Sequence, residues 1–367
     1  MKKVWIIAAL VLIAIFAFVS CSSTPAASSA AAPASSAAAS VAAASSAAPA
    51  ASAAAVKGKV KVMFIPKNQG NPYFDAIVTG LKEAVTTIGA DKIQCDETGP
   101  STADATSQIE YVQAAVQNGY NVILIAANSN DALDATFDDA RAKGVKIVII
   151  NGDIPKNETH RDAAILPTDF SKVGAAQIEC LGSIINYEGE FAILSATTDA
   201  PDQNTWIEGM KATLKDPKYA KMKLDAVVYG DDQPEKSTTE MESLITKYPN
   251  LKGVIAPTTV GIAASAQVVD TKKLGDKIAV TGLGLPSQMS AFIKDGSVKQ
   301  FQLWNPVDQG LLGAYFAYSL ATGGVEAKEG ATFDAGRLKT FTIGANNIII
   351  TGPPFTFDKS NIDNFKF

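Results

Sequence analysis

The sequence predicts an α/β protein made of two similar doubly wound parallel-sheet lobes. Three observations carry this. Runs that are apolar throughout, such as VILIA (Val122 to Ala126) and KIVII (Lys146 to Ile150), alternate with amphipathic helical patterns, as parallel strands covered on both faces do. The alternation starts over at EFAILS (Glu190 to Ser195), so it describes two units and not one large sheet. The globular sequence from Val60 onward runs to about 300 residues, enough for two domains.

In order, KVKVMFI (Lys59 to Ile65) is the first strand. The helix after it sets Phe74, Ile77, Val78, Leu81, Val85 and Ile88 at helical spacing. KIQCD is the second strand and VILIA and KIVII the next two. A helix around Ile109, Val112 and Val116 and another around Leu133, Phe137 and Ala140 lie between them. In the second unit the strands are EFAILS, DAVVYG (Asp225 to Gly230), GVIAP and KIAVTGLG. Helices carrying Trp206, Ile207, Met210 and Leu214, and then Met241, Leu244 and Ile245, separate them.

The N-terminal sequence reads as an address. Met1-Lys2-Lys3 is basic, and Val4 to Val19 is apolar but shorter than the roughly 20 residues of a membrane span, so residues 1–20 form an export signal. A cysteine placed directly after such a run, in Phe18-Val19-Ser20-Cys21, resembles a bacterial lipoprotein cleavage site, although Phe18 departs from the usual aliphatic residue. There Cys21 takes a diacylglycerol and becomes the new N-terminus. Residues 21–57 are the lipidated cysteine and an Ala/Ser/Pro-rich tether that carries no charge as far as Val56. As a coil of about 35 residues it reaches roughly 30 Å.

The formal net charge is −5, and losing Lys2 and Lys3 with the signal makes it −5 − 2 = −7. An acidic chain without a basic stripe is a poor nucleic-acid binder, because phosphate contacts supply most of that affinity. Cys95 and Cys180 fall in segments assigned to different lobes, which favours free thiols over a disulfide.

Open α/β sheets bind ligands beyond the carboxyl ends of their strands. In the first lobe those ends carry Lys67-Asn68, Asn71-Pro72-Tyr73-Phe74, Asn128 to Asp131 and Asn151-Gly152-Asp153. In the second they carry Asp202-Gln203-Asn204, Asp231-Asp232, Pro257-Thr258-Thr259 and Gly282-Leu283-Gly284, with Trp304-Asn305 further on. Sugar hydroxyls both donate and accept, so a mixture of carboxylates, amides, hydroxyls and one lysine beside aromatic faces suits a neutral polyol or sugar. Singly, each residue has a plainer reading. Asn68, Asn128 and Asp131 can cap helices or make turns, Asp231-Asp232 reads as a solvated turn, and Trp206 reads as core with Ile207 and Met210.

Reactive groups are sparse. His160, in NETHRD, is the one histidine, and nothing around it resembles a triad or a metal site. There is no GxxxxGK[ST] loop, no GxGxxG after the first strand and no zinc spacing of cysteines. The sequence points to binding and not to an enzyme, with no cofactor and no metal.

Taken together, IPKN, GEFAILSAT, DQNTWIEGMK, YAKMKL, VVYGDD, YPNLKGVIAPTTVGIAA, GLGLPSQM and LWNP resemble the type I periplasmic sugar-binding proteins of ABC importers. The resemblance runs from about Val60 to Gly323, and within that family it is nearest the rhamnose-binding branch, a relative of the autoinducer-2 receptors. It implies a Venus-flytrap with a three-crossing hinge, closing on one ligand and presented to a permease. The boundaries expected from it are 58–158 plus 301–325 for the N-terminal lobe and 159–300 plus 326–367 for the C-terminal lobe, with FTIG and NIIIT as added strands of the latter.

The autoinducer-2 receptors contact their ligand through a lysine, an aspartate, an Asp-Gln pair and the Pro and Ala of a Pro-x-Ala stretch. The matching positions here are Lys67, Asn151, Asp202, Gln203, Pro257 and Thr259. Asn151 and Thr259 are the departures, and both argue against the compact autoinducer. Asp153 is added to the gripping set, Phe74 or Trp304 is the candidate for the methyl of a deoxyhexose, and Asn305 sits beside a crossing. The resemblance therefore implies a monomeric, lipid-anchored protein on the extracytoplasmic side of the cell envelope, capturing a rhamnose-like sugar for permease subunits. The alternative is an autoinducer-2 receptor on the same scaffold. A DNA-binding repressor of this fold is set aside, because an export signal stands where its helix-turn-helix would be.

Overall fold

The structure, a computed structural model, describes residues 55–367. The export signal, Cys21 and nearly all of the tether lie outside the described residues. The chain is tied to the fold from Val56, whose amide donates to Ala321 O at 2.8 Å.

The first lobe opens with β1 (Val60–Ile65), α1 (Pro72–Ile88), β2 (Ile93–Glu97), α2 (Ile109–Gln117), β3 (Val122–Ile125), α3 (Asp134–Ala142), β4 (Lys146–Ile150) and β5 (Ala163–Leu166). The second follows with α4 (Phe170–Ile185), β6 (Gly189–Ser195), α5 (Pro201–Thr213), β7 (Met222–Tyr229), α6 (Pro234–Lys247), β8 (Leu251–Ala256), α7 (Thr259–Thr271), β9 (Ala279–Gly282), α8 (Pro286–Asp295) and β10 (Gln300–Leu303). The chain then forms α9 (Pro306–Thr322), the hairpin of β11 (Thr332–Asp334) and β12 (Thr340–Thr342), β13 (Ile348–Ile350), and finally β14 (Phe355–Asp358).

Two parallel sheets organise these elements, ordered β13-β5-β4-β3-β1-β2 and β7-β6-β8-β9. The strands are apolar throughout because both faces are covered. Phe64, Leu124 and Val148 point into one core and their neighbours Ile65, Ile125 and Ile149 into another. Helices α1 and α9 cover the first of these faces and cross closely: a Cβ at Gly80 would overlap the Val307 carbonyl oxygen, and one at Gly310 that of Ile77. Helices α2 and α3 cover the second face through Val112 and Phe137.

Three short crossings join the lobes, at residues 167–169, 304–305 and 351–354. The first and third are bonded side by side, Thr351 N donating to Leu166 O at 2.9 Å and Gly352 N to Pro167 O at 3.2 Å.

These crossings differ from the expected boundaries. AAIL is β5 and pairs with β4, so residues 159–166 belong to the first lobe. The two strands are joined by a loop and a 3-10 turn without an α-helix, so no helical period marks the addition. Residues 326–350 also stay with the first lobe: β11 packs against α9, and NIIIT supplies β13, an edge strand beside β5. Only β14 returns to the second lobe. It pairs with β10, which belongs there too, bridged to Leu283 at the edge of β9.

Candidate functional site

The carboxyl ends of the two sheets face each other across a small cavity. From the first lobe, Lys67 and Asn71 follow β1, Tyr73 and Phe74 occupy the first turn of α1, and Asn151 follows β4. Asn71 caps α1, its side-chain oxygen accepting from Tyr73 N at 3.1 Å, with Pro72 at the first helical position. That cap fixes where Tyr73 and Phe74 stand. Asn151 holds a left-handed backbone, φ 71°, which asparagine tolerates better than most residues.

From the second lobe come Gln203 and Trp206 on α5, Asp232 after β7, and Pro257, Thr258 and Thr259 at the junction of β8 and α7. Leu283, Leu303 and Trp304 close the hinge side. Each lobe therefore contributes both polar and aromatic or apolar groups to the lining.

An ion pair crosses this cleft. Lys67 Nζ donates to Asp202 Oδ2 at 2.8 Å and to Gln203 Oε1 at 3.3 Å, and both charged side chains are almost wholly buried. Asn151 Nδ2 approaches the same Asp202 oxygen at 3.4 Å. The other oxygen lies against Gly152, where a Cβ would overlap it, so glycine is required for the lobes to come this close. Burial pushes the Asp202 carboxyl above its usual range, Lys67 pulls it back, and the nearby Asp153 and Asp232 charges add to the rise. Its place in the first turn of α5 also favours a negative charge.

Behind Asn151 runs a second network. Trp304 Nε1 donates to the Tyr73 hydroxyl at 2.6 Å, and that hydroxyl faces Asn151 Oδ1 at 2.5 Å and Gln309 Oε1 at 3.0 Å. With one proton, Tyr73 can donate to only one of these acceptors at a time. Burial raises its pKa far above the ordinary tyrosine value, so it stays neutral.

Of the residues singled out from the sequence, Lys67, Phe74, Asn151, Gln203, Pro257, Thr259 and Trp304 line the cavity. Asp202 sits just behind them, bound to Lys67. Two residues are elsewhere. Asp153 is locked in a two-point pair with Arg161, whose Nη2 donates to Oδ2 at 2.7 Å and whose Nε donates to Oδ1. Asn305 caps α9, accepting from Val307 N at 3.0 Å and Asp308 N at 3.4 Å. Both are ordinary uses of such residues at strand ends and helix starts.

Sequence reasoning passed over Tyr73, Trp206 and Asp232 as site residues. Asp232 is 6% exposed and not in a solvated turn: Thr258 Oγ1 donates to it, while its neighbour Asp231 pairs with Lys236 at the surface. Burial raises its pKa, and the Thr258 bond opposes the rise. Its position at the end of β7 was the available signal. For Trp206 the signal was the i, i+4 spacing from Asp202 on one helix face. His160 lies outside the cleft, 2.9 Å from Asp138. Cys95 and Cys180 are free, and burial pushes their thiols up to about 12 and about 11.

A family model described as periplasmic binding protein domain matches residues 60–324. Among solved structures, a sugar ABC transporter protein from Actinomyces odontolyticus is 38% identical, with 84% of this chain and 98% of that one covered and a TM-score of 0.67. An ABC transporter solute-binding protein from Clostridium phytofermentas, solved with bound L-rhamnose, is 33% identical over 84% of this chain and 98% of that one, with a TM-score of 0.79. A xylose/arabinose-binding protein from Sulfolobus acidocaldarius is 22% identical over 248 residues; the match spans 64% of this chain and 60% of that protein's length.

Proposed function

We propose that this chain, which belongs to the periplasmic binding protein family, among the sugar-binding proteins of ABC transporters, and is not an enzyme, captures a rhamnose-type deoxyhexose between its lobes and delivers it to a permease. The observation that carries this reading is the cavity itself, whose lining combines the polar groups of Lys67, Asn151, Gln203 and Thr259 with the aromatic rings of Phe74, Trp206 and Trp304. A deoxyhexose has both faces, hydroxyls along one part and a methyl group elsewhere. The L-rhamnose bound by the Clostridium protein, at 33% identity, favours the same sugar class.

Within this reading Lys67 and Gln203 bond ligand hydroxyls, and Pro257 and Phe74 shape the apolar floor. Asp202 is a positioning residue that holds Lys67 across the cleft. Asp153 and Asn305 have no direct contact with the ligand. Calorimetric titration with L-rhamnose, ribose, galactose and autoinducer-2 in parallel tests it. Binding of L-rhamnose alone is expected. Binding of autoinducer-2 in its place would move the function to signal reception, and binding of none would sink the sugar assignment.

The lipid anchor belongs to the same proposal and rests on the sequence at Cys21. Metabolic labelling with palmitate checks it: the label is expected in the native protein and lost in Cys21→Ala. Labelling that survives that substitution would rule Cys21 out as the site.

A further inference from the structure

The cavity's side-chain donors are mostly spent on protein acceptors. Lys67 Nζ gives two of its three N–H groups to Asp202 and Gln203, Trp304 Nε1 is held by Tyr73, and Thr258 Oγ1 by Asp232. Trp206 Nε1 differs. It is fully enclosed and has no hydrogen-bond partner among the described residues, although Trp206 lines the cavity and is only 2% exposed. A buried donor left unpaired is costly, and native structures rarely keep one without a use.

The ring has little freedom to seek a partner elsewhere. It packs against Phe170, 4.9 Å away at 80°, and Trp304, 5.7 Å away at 61°. The side chains of these two neighbours offer no lone-pair acceptor. Helix α5 places Trp206 one turn beyond Asp202 and Gln203, so the indole and the polar pair share the face that meets the cleft.

We propose that Trp206 Nε1 donates a hydrogen bond to an oxygen of the bound ligand, which makes Trp206 a specificity-determining residue. This rests on the reading of the cleft as a sugar site and extends it. The aromatic lining is then not uniformly apolar: at Trp206 it demands an acceptor oxygen, whereas Trp304, its own donor satisfied by Tyr73, only packs. The methyl group of a deoxyhexose is directed to Phe74 and Trp304 and kept away from Trp206.

Nitrogen-15 spectra of the indole groups in the full chain, with and without L-rhamnose, test this. Of the chain's three tryptophans, Trp5 lies in the export signal that processing removes, so single Trp→Phe variants assign the two remaining signals, Trp206 and Trp304. On adding the sugar, the Trp206 indole proton is expected to move downfield and exchange more slowly with water. Trp206→Phe is expected to bind L-rhamnose about five- to tenfold more weakly. Among single-deoxy analogues of the sugar, one position should cost the native protein affinity and cost Trp206→Phe nothing. If L-rhamnose binds and the Trp206 signal stays fixed, the inference is overturned. If no sugar binds, the reading beneath it falls, and the inference falls with it. The spectra of the native protein decide the matter even if Trp206→Phe folds poorly.

Discussion

Asp153 and Asp202 are both buried carboxylates beside the same cleft, each paired with one base, but the pairs span different distances along the chain. Asp153 and Arg161 are 8 residues apart within the first lobe, and their pair holds whether the lobes meet or not. Asp202 and Lys67 are 135 residues apart on opposite lobes, so their pair ties one lobe to the other across the cleft. A buried ion pair adds little net stability, but removing one partner strands the other. Where the stranded charge lies therefore decides what the loss affects. In the first pair it is the fold, and in the second it is the closure.

The sharpest break of this contrast is Asp153→Ala. It leaves Arg161, whose side chain is 1% exposed, without its partner, and is expected to cost about 3–5 kcal/mol in denaturant unfolding while the folded fraction keeps its sugar affinity. A loss of affinity without a loss of stability would make Asp153 a ligand residue after all. Next in size is Asp202→Ala, expected to weaken L-rhamnose binding by about one to two orders of magnitude, since a charged hydrogen bond contributes roughly 1.5–3 kcal/mol. Its unfolding free energy should fall less than that of Asp153→Ala, because an open cleft lets water reach Lys67. Equal losses in the two variants would erase the distinction.

Trp304→Phe removes the bond to Tyr73 and is expected to weaken binding by about 1 kcal/mol, read by calorimetry, through a looser Tyr73 and Asn151. The smallest effect is at the surface. Lys218, then Tyr187 and Tyr219, hold the Glu179 carboxyl down from 4.5 to about 2. Because the folded value is depressed, the stability it supplies is complete above 4.5 and fades as the pH falls toward about 2. Melting temperature should drop across that window, and less steeply in Glu179→Gln. The effect is modest, since the side chain is 44% exposed and screened by water.

Much of this architecture is written in local pattern. The apolar strands and helical stripes reveal themselves because parallel strands buried on both faces cannot be anything but apolar. What escapes is assignment between lobes. Ile348 to Ile350 reads as a strand on its own, yet nothing in NIIIT says that it will pair with Ala164 to Leu166, far earlier in the chain. The site follows the same division. Lys67, Gln203, Pro257 and Thr259 are legible from their strand ends, whereas Asp153 and Asp202 look alike until their partners are known. Asp232 was hidden for the converse reason: its burial depends on Thr258, a residue of the next strand-helix junction. Position along an element is local, but pairing is not.

The measurement that bears most directly on the proposed role of the cleft is tryptophan emission during titration with L-rhamnose, because Trp206 and Trp304 both line the cavity. A saturable change is expected, with a dissociation constant on the order of micromolar, about −8 kcal/mol. Emission that stays flat to millimolar sugar would contradict capture of rhamnose between the lobes.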